Sequence, residues 1–164
     1  MKQLIFIGGP MGVGKTAVAR ALDEQFDNSV MLDGDWCWQM HPWVINDENK
    51  AMVINNIQHL LQAFIDNTGF ATIIFCWVMD QQQIIDDICA GLTMDKVSFT
   101  SISLIADEPI LRRNFEIDGR DIDGLQDSIA RLRNCENVRS IKIDTMGKST
   151  EDVAHEIAML VRSG

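Results

Sequence analysis

The chain has 164 residues, of which 46% are hydrophobic and 23% are charged, as in one globular domain of ordinary size. Its formal net charge of −10 argues against general affinity for nucleic acid, because that binding depends on basic surfaces. No apolar run approaches the roughly 18 residues that span a bilayer, and the cysteines lack C-x-x-C spacing. No signal peptide precedes the first predicted strand. We therefore expect a cytoplasmic protein with reduced thiols and no nucleic-acid or membrane partner, and either a monomer or a homodimer.

A glycine-rich stretch follows the first predicted strand, Gln3 to Ile7, and fits the phosphate-binding pattern G-x-x-x-x-G-K-[ST] at every fixed position. Glycines let backbone N–H groups approach an anion closely, and the helix predicted to start near Gly14 adds its positive end. Lys15 can reach the β- and γ-phosphates, and the Thr16 hydroxyl can bind Mg²⁺. We therefore predict a nucleoside-triphosphate site, here called the P-loop, made by Gly9, Pro10, Met11, Gly12, Val13, Gly14, Lys15 and Thr16.

Strands and helices alternate along the rest of the chain. The apolar patterns predict further strands over residues 29–32, 71–78, 97–105 and 139–144. They predict helices over 14–25, from 46, over 80–92, from 107, over 127–134 and from 149 or 150 to 162, with breaks at Gly119 and Gly124. This alternation predicts a single α/β domain with a parallel, doubly wound sheet that binds ligands at the carboxyl ends of its strands.

Asp33-Gly34-Asp35 follows the second predicted strand directly, at the sheet edge where the P-loop also lies. Phosphoryl transfer to a hydroxyl needs a positioned nucleophile and often a carboxylate that takes its proton. Two aspartates separated by one residue can divide that work, one toward the metal and one toward the acceptor. The alternative is a plain turn, which Asp and Gly favour in any protein.

The P-loop followed by Asp-Gly-Asp resembles the P-loop small-molecule kinases, such as shikimate kinase, gluconate kinase, adenylylsulfate kinase and chloramphenicol phosphotransferase. It also resembles bacterial proteins classed as nucleotide kinase-like or as AAA-type ATPases. The resemblance covers residues 1–164 and implies a three-layer α/β sandwich whose five parallel strands have the order 2-3-1-4-5. It implies ATP and Mg²⁺ as cofactors, with Thr16 and Asp33 positioning the metal. Lys15 would stabilise the transferring group, and Asp35 would bind the acceptor hydroxyl and act as base.

Cations are rare in the first two thirds of the chain and then cluster, with eight Lys or Arg residues between positions 112 and 148. The family resemblance implies a short lid at about residues 112–124. In it, Arg112 would stack on the adenine and Arg120 would close over the phosphates, since guanidinium groups bind phosphate oxygens well. The loop around Thr145 would hold the adenine edge. The alternative for each arginine is an ordinary solvated helix face.

Residues 36–43, here called the tryptophan-rich segment, contain three tryptophans in the place where related kinases admit their acceptor. Large aromatic side chains can form the wall of a site for a flat or partly apolar molecule, or they can simply pack under the following helix. The segment has no arginine that would bind a carboxylate or a sulfate, which disfavours an acidic acceptor. The candidate acceptor contacts are Asp35, Trp36, Trp38, His41 and Trp77.

Two motifs that are missing from the sequence disfavour a mechanical AAA-type ATPase and a GTPase. Gln81 follows Asp80 where an ATPase that activates water would have Glu, and no N-K-x-D motif for guanine occurs. We interpret the chain as an ATP-dependent kinase that acts on a hydroxyl of a small molecule. The alternatives are a nucleoside or nucleotide kinase, an antibiotic phosphotransferase, or a nucleotide-binding switch with little turnover.

Overall fold

The computed structural model describes residues 1–163. These residues form five strands and six α-helices, and one 3-10 turn, Gly34–Trp38, follows the second strand. In chain order the elements are β1 Lys2–Gly8, α1 Lys15–Asp23, β2 Ser29–Asp33, α2 Asp47–Asp66, β3 Thr72–Cys76, α3 Gln82–Ala90, β4 Val97–Ile105, α4 Glu108–Ile117, α5 Ile122–Cys135, β5 Ile141–Asp144 and α6 Thr150–Ser163.

The five strands are parallel and lie in the order β2-β3-β1-β4-β5, which confirms the predicted fold class and topology. At the carboxyl edge of the sheet, Ile7 of β1 lies beside Cys76 of β3, and Cys76 lies beside Asp33 of β2. The loops that follow these three strands therefore leave the sheet side by side. This register brings the P-loop and the Asp-Gly-Asp turn together.

The two faces of the sheet are covered by different helices. Successive side chains of a strand point to opposite faces, so β1 contributes to two cores. Ile5 and Ile7 of β1 point into a core that includes α1, α4, α5 and α6, whereas Leu4 and Phe6 point into a core that includes α2 and α3. All four β1 side chains are fully buried. Burying a side chain of this size stabilises a fold by roughly 1.5–3 kcal/mol, so the strand that leads into the P-loop is firmly anchored.

Most predicted boundaries agree with the structure to within a few residues, and β4 coincides at both ends. One prediction is wrong: Gly124 does not break the chain but lies in the first turn of α5, which begins at Ile122. The side chain of Asp121 caps this helix by accepting a bond from the backbone N–H of Asp123 at 3.4 Å. Most of the predicted lid, residues 112–124, is consequently helix, and only residues 118–121 connect α4 to α5.

The four cysteines are free thiols, and Cys76 and Cys135 are buried. Burial raises the pKa of the Cys76 thiol to about 12 and that of Cys135 to about 11, so both stay protonated at neutral pH. Among residues 1–163, no helix combines the length and the apolar character that crossing a membrane requires.

Candidate active site

The P-loop has the backbone shape of an anion cradle. Gly12 and Gly14 have φ values of 81° and 102°, a region that residues with a Cβ adopt rarely. A Cβ at Gly12 would lie 2.6 Å from Cε2 of Phe115, whereas a Cβ at Gly14 would meet no atom within 4 Å. The Gly14 side, at the start of α1, is therefore open for a phosphate group to approach the helix N-terminus.

Two hydrogen bonds from neighbouring helices hold the P-loop from outside. Asn114 Nδ2 of α4 donates to the carbonyl oxygen of Gly12 at 2.7 Å, and Ser128 Oγ of α5 donates to the carbonyl oxygen of Met11. These bonds hold two carbonyl groups of the P-loop in place through residues of the chain itself. The sequence did not identify either donor, because an Asn or a Ser inside a helix has no local signal for a partner more than 100 residues away.

Lys15 is the cation of the P-loop. Its Nζ donates a hydrogen bond to the carbonyl oxygen of Pro10 at 2.8 Å. Burial lowers the pKa of Lys15 to about 8, although the carboxylates of Asp35 and Asp33 act in the opposite direction. A desolvated ammonium whose hydrogen-bond partner is a neutral carbonyl gains energy when an anion arrives, and this fits the triphosphate predicted for the loop.

Asp33 connects the P-loop helix to the Asp-Gly-Asp turn. Its carboxylate is 5% exposed, and its Oδ2 accepts a hydrogen bond from Thr16 Oγ1 at 2.7 Å. Its Oδ1 accepts one from the backbone N–H of Asp35 at 3.0 Å. A hydroxyl and a carboxylate held together offer the oxygen ligands that Mg²⁺ prefers, so these residues fit a metal bound beside the phosphates.

Asp35 stands at the mouth of a cavity and is oriented by Trp77. Trp77 Nε1 donates a hydrogen bond to Asp35 Oδ1 at 3.2 Å. The indole also lies on Gly34, where a Cβ would be only 2.4 Å from Cγ of Trp77. Partial burial and the charge of Asp33 raise the pKa of Asp35 above its ordinary value, while Lys15, the Trp77 bond and Arg120 lower it in part.

The cavity in front of Asp35 has a volume of about 770 Å³. It lies between the P-loop, the tryptophan-rich segment, the first half of α2, α3 and α5, and most of its lining side chains are apolar. The lining residues are Met11, Asp35, Trp38, Gln39, Met40, Trp43, Ile45, Lys50, Ile54, Trp77, Val78, Ile84, Asp87 and Arg131.

The structure separates the predicted acceptor contacts into two groups. Asp35, Trp38 and Trp77 line the cavity. Trp36 does not; it lines a second cavity of about 460 Å³ on the other side of the Gly34–Trp38 turn. His41 is exposed and lines neither cavity. The contacts of Trp36 and His41 with an acceptor therefore stay predictions, and the main cavity is lined by Asp35, Trp38 and Trp77.

Arg131 lines the cavity, whereas sequence analysis identified it only as one of the eight cations between positions 112 and 148. Its Nη1 donates to Oδ1 of Asp80 at 3.1 Å, and Asn134 Nδ2 donates to the other oxygen of the same carboxylate at 3.1 Å. Asp80 is 2% exposed, whereas the Arg131 side chain is 43% exposed. The Asp80 carboxylate thus holds the guanidinium group at the cavity, and Asp80 itself is turned toward α5.

The remaining predicted nucleotide contacts are Arg112, Arg120 and Thr145. Arg112 pairs with Glu108 on its own helix at 3.2 Å, and the Arg120 Nε pairs with Asp118 at 2.9 Å. The Arg120 guanidinium also lies 5.7 Å from the centre of the Phe115 ring. The backbone N–H and the hydroxyl of Thr145 both donate to the carbonyl oxygen of Ile105, at 2.9 and 3.1 Å. The contacts of Arg112, Arg120 and Thr145 with a nucleotide stay predictions.

Similar solved structures have the same fold over nearly the whole chain. The tunicamycin resistance protein of Deinococcus radiodurans is 26% identical, with a TM-score of 0.75 and coverage of 98% of this chain and 96% of that one. A gluconokinase from Sinorhizobium meliloti 1021 is 15% identical (TM-score 0.73, coverage 98% and 92%). The shikimate kinase of Acinetobacter baumannii in complex with shikimate is 18% identical (TM-score 0.69, coverage 99% and 94%).

No curated protein sequence matches the chain. A family model described as AAA domain matches residues 5–140, which include the P-loop, the Asp-Gly-Asp turn and every residue that lines the main cavity. The chain therefore belongs to the AAA domain family and has the fold that P-loop small-molecule kinases share.

Proposed function

We propose that this protein is an ATP- and Mg²⁺-dependent kinase that transfers the γ-phosphoryl group to a hydroxyl group of a small molecule. The observation that carries the proposal is the position of Asp35, whose carboxylate lines the cavity and interacts electrostatically with Lys15 of the P-loop. A carboxylate between a phosphate cradle and a cavity for the acceptor is an arrangement that suits phosphoryl transfer to an alcohol. The kinase fold of the similar structures supports this assignment.

Each residue has a separate task in the proposed reaction. Bound Mg²⁺-ATP supplies a phosphoryl group whose bond to the leaving ADP oxygen breaks as its bond to the acceptor oxygen forms. The P-loop amides and the Lys15 ammonium hold negative charge, and Thr16 and Asp33 would hold the metal. Asp35 takes the proton of the acceptor hydroxyl. Its raised pKa brings this base closer to neutral pH, where proton transfer is most effective.

The experiment that tests the proposal compares the wild-type protein with Asp35→Asn. Each is incubated with Mg²⁺ and ATP labelled in the γ-phosphate, together with pooled nucleosides, sugars and aryl alcohols, and labelled products are separated. We expect a labelled product from the wild type. We expect Asp35→Asn to lower its rate by about 100-fold or more, since a general base contributes at least that much, while ATP affinity changes little. If Asp35→Asn kept the full rate with an identified acceptor, the base assignment would be wrong.

A nucleotide-binding switch would give a different result in the same experiment. It would retain ATP or ADP tightly, hydrolyse ATP at a rate that no pool changes, and give no labelled product. Nucleotide retention is measured by filtration with labelled ATP. A nucleoside or nucleotide acceptor would appear instead as product from the nucleoside pool alone.

A further inference from the structure

The walls of the main cavity are more apolar than a small polar acceptor needs. Trp38 and Trp43 of the tryptophan-rich segment face Ile54 of α2 and Ile84 of α3, and Trp77 closes the side next to Asp35. The rings of Trp38 and Trp43 are 6.4 Å apart and inclined by 62°, in an edge-to-face contact. A polyol bound against such walls would lose water without gaining hydrogen bonds, and this costs binding energy. An apolar group would gain energy there.

The cavity is also large for its proposed task. A volume of about 770 Å³ lies well within the range of about 300–1,000 Å³ typical of drug-sized ligands. The hydroxyl that reacts needs only the corner beside Asp35. The part of the cavity between α2, α3 and the tryptophan-rich segment is available for a portion of the acceptor that takes no part in the chemistry.

The charges around the cavity do not favour an anionic acceptor. Its two cations, Lys50 and Arg131, are already paired, with Asp47 at 3.7 Å and with Asp80 at 3.1 Å. Asp35 and Asp87 also line the cavity. A carboxylate or sulfate bound there would therefore meet two cations that already have acidic partners, together with two acidic side chains, and this arrangement does not favour its binding.

From the shape, the apolar walls and the paired cations, we propose that the acceptor is an amphipathic alcohol without an anionic group. Its polar end places a hydroxyl at Asp35, and its alkyl or aryl body lies between Trp38, Trp43, Ile54 and Ile84. This inference rests on the proposed kinase function and specifies the class of molecule that the kinase would use. The hydroxyl proton passes to Asp35 and the oxygen receives the phosphoryl group from ATP, as described above.

Matched glucosides test the proposal, because they share one polar group and differ only in the body attached to it. Binding of methyl, octyl and phenyl β-glucoside to the full chain is measured by calorimetry, below the concentration at which octyl glucoside forms micelles. We expect octyl or phenyl β-glucoside to bind at least about tenfold more tightly than methyl β-glucoside, since each buried methylene adds to affinity. Octyl β-glucuronide, which adds a carboxylate to the same body, should bind more weakly than octyl β-glucoside.

Two cavity variants and one control locate the binding. Ile84→Asn places an amide in the apolar wall, and Trp43→Ala removes a wall residue that is 63% exposed and therefore contributes little to folding. Each should reduce the advantage of the octyl or phenyl compound over the methyl compound at least threefold. The control is Met159→Ala on α6, which removes another exposed apolar side chain (52% exposed) outside the cavity and should preserve the advantage.

Phosphoryl transfer from γ-labelled ATP to the same compounds is measured separately from binding. Equal or tighter binding of the methyl compound, tighter binding of the glucuronide, or an advantage that Trp43→Ala and Ile84→Asn leave intact would each overturn the proposed acceptor class. Efficient transfer to a small polar alcohol would overturn the acceptor class and support the kinase function. Selective binding of the octyl or phenyl compound without transfer to any alcohol would support the cavity assignment and contradict the kinase function.

Discussion

The indole N–H of Trp77 donates a hydrogen bond to the carboxylate of Asp35 at 3.2 Å, across 42 positions of sequence. The bond follows from the register of the sheet. Asp33 at the end of β2 is aligned with Cys76 at the end of β3. Asp35 follows Asp33 by two positions, and Trp77 follows Cys76 by one position. Trp77 therefore orients Asp35 from the side of the cavity, and it does so before any acceptor is bound.

Trp77→Phe should separate this orienting bond from the packing of the ring. Phenylalanine keeps an aromatic ring against Gly34 but has no N–H, so we expect little change in stability and a roughly fivefold lower kcat, equivalent to about 1 kcal/mol. The Trp77 bond lowers the pKa of Asp35, so its loss should raise that pKa and move the acid limb of the pH–rate profile to higher pH. Carbon NMR of labelled Asp35 measures the same shift without an acceptor.

The matched control for this change is Trp43→Phe, because Trp43 lines the same cavity and, within residues 1–163, the indole that donates a hydrogen bond to Asp35 is that of Trp77. It should leave the pKa of Asp35 where it is. An unchanged Asp35 titration in Trp77→Phe would show that the bond does not act on the carboxylate.

Lys15→Met should make the nucleotide-free protein more stable near pH 7 and remove its response to Mg²⁺-ATP. Burial lowers the pKa of Lys15 to about 8 from its ordinary value of 10.5. Between these values the unfolded chain binds more protons than the folded one, so this lysine contributes stability that rises with pH. The advantage of the variant should therefore be present at neutral pH and shrink from pH 8 to 10.5.

Urea unfolding at a series of pH values, with and without Mg²⁺-ATP, measures this effect. Lys96→Met, a change at an exposed lysine, serves as control and should follow the wild type. A Lys15→Met protein that is less stable than the wild type at pH 7, or whose difference from it does not vary above pH 8, would contradict the proposed burial of the ammonium.

Gly12→Ala should damage the P-loop through a specific contact with Phe115. Both Gly12 and Gly119 have positive φ values, 81° and 63°, but only at Gly12 would a Cβ collide with another side chain, at 2.6 Å from the Phe115 ring. We expect Gly12→Ala to lower ATP affinity at least tenfold and to destabilise the fold by about 1–3 kcal/mol. Gly119→Ala carries a similar backbone strain without a collision and should destabilise the fold less than Gly12→Ala. Equal losses of stability in the two variants would assign the effect to backbone strain alone. Thermal unfolding and calorimetric ATP titration measure both quantities.

The parts of the fold that the sequence predicted best have strong local signals. β4 combines apolar residues with Ser and Thr between the charged residues Asp95-Lys96 and Asp107. The helix predicted from residue 46 begins at Asp47, and the Asn46 side chain caps it by accepting a hydrogen bond from the Asn49 N–H at 2.7 Å. The start of α5 was missed because Gly124 suggested a break. In the structure this glycine lies against α4, where a Cβ would be 3.3 Å from Phe115, and a close contact between helices leaves no local pattern.

In the candidate site too, the residues with a local sequence signal were predicted and those that depend on tertiary packing were not. The P-loop, Asp33 and Asp35 are recognisable because their chemistry depends on short, fixed spacings. The Trp77–Asp35 bond and the Arg131–Asp80 pair join residues 42 and 51 positions apart, so they depend on strand register and helix packing. For the same reason the sequence could not tell which tryptophans face the cavity. In the Gly34–Trp38 turn, Trp38 lines the main cavity and Trp36 lines the second one.

Helix α5 contacts both the P-loop and the cavity proposed for the acceptor. Ser128 donates to a carbonyl of the P-loop, and Arg131, three residues later on the same helix, lines the cavity. A rigid helix transmits a shift at one of these positions to the other. A bound acceptor that displaces α5 would therefore change the affinity of the P-loop for the nucleotide. Because linkage between two binding sites is reciprocal, the nucleotide would change the affinity for the acceptor by the same factor.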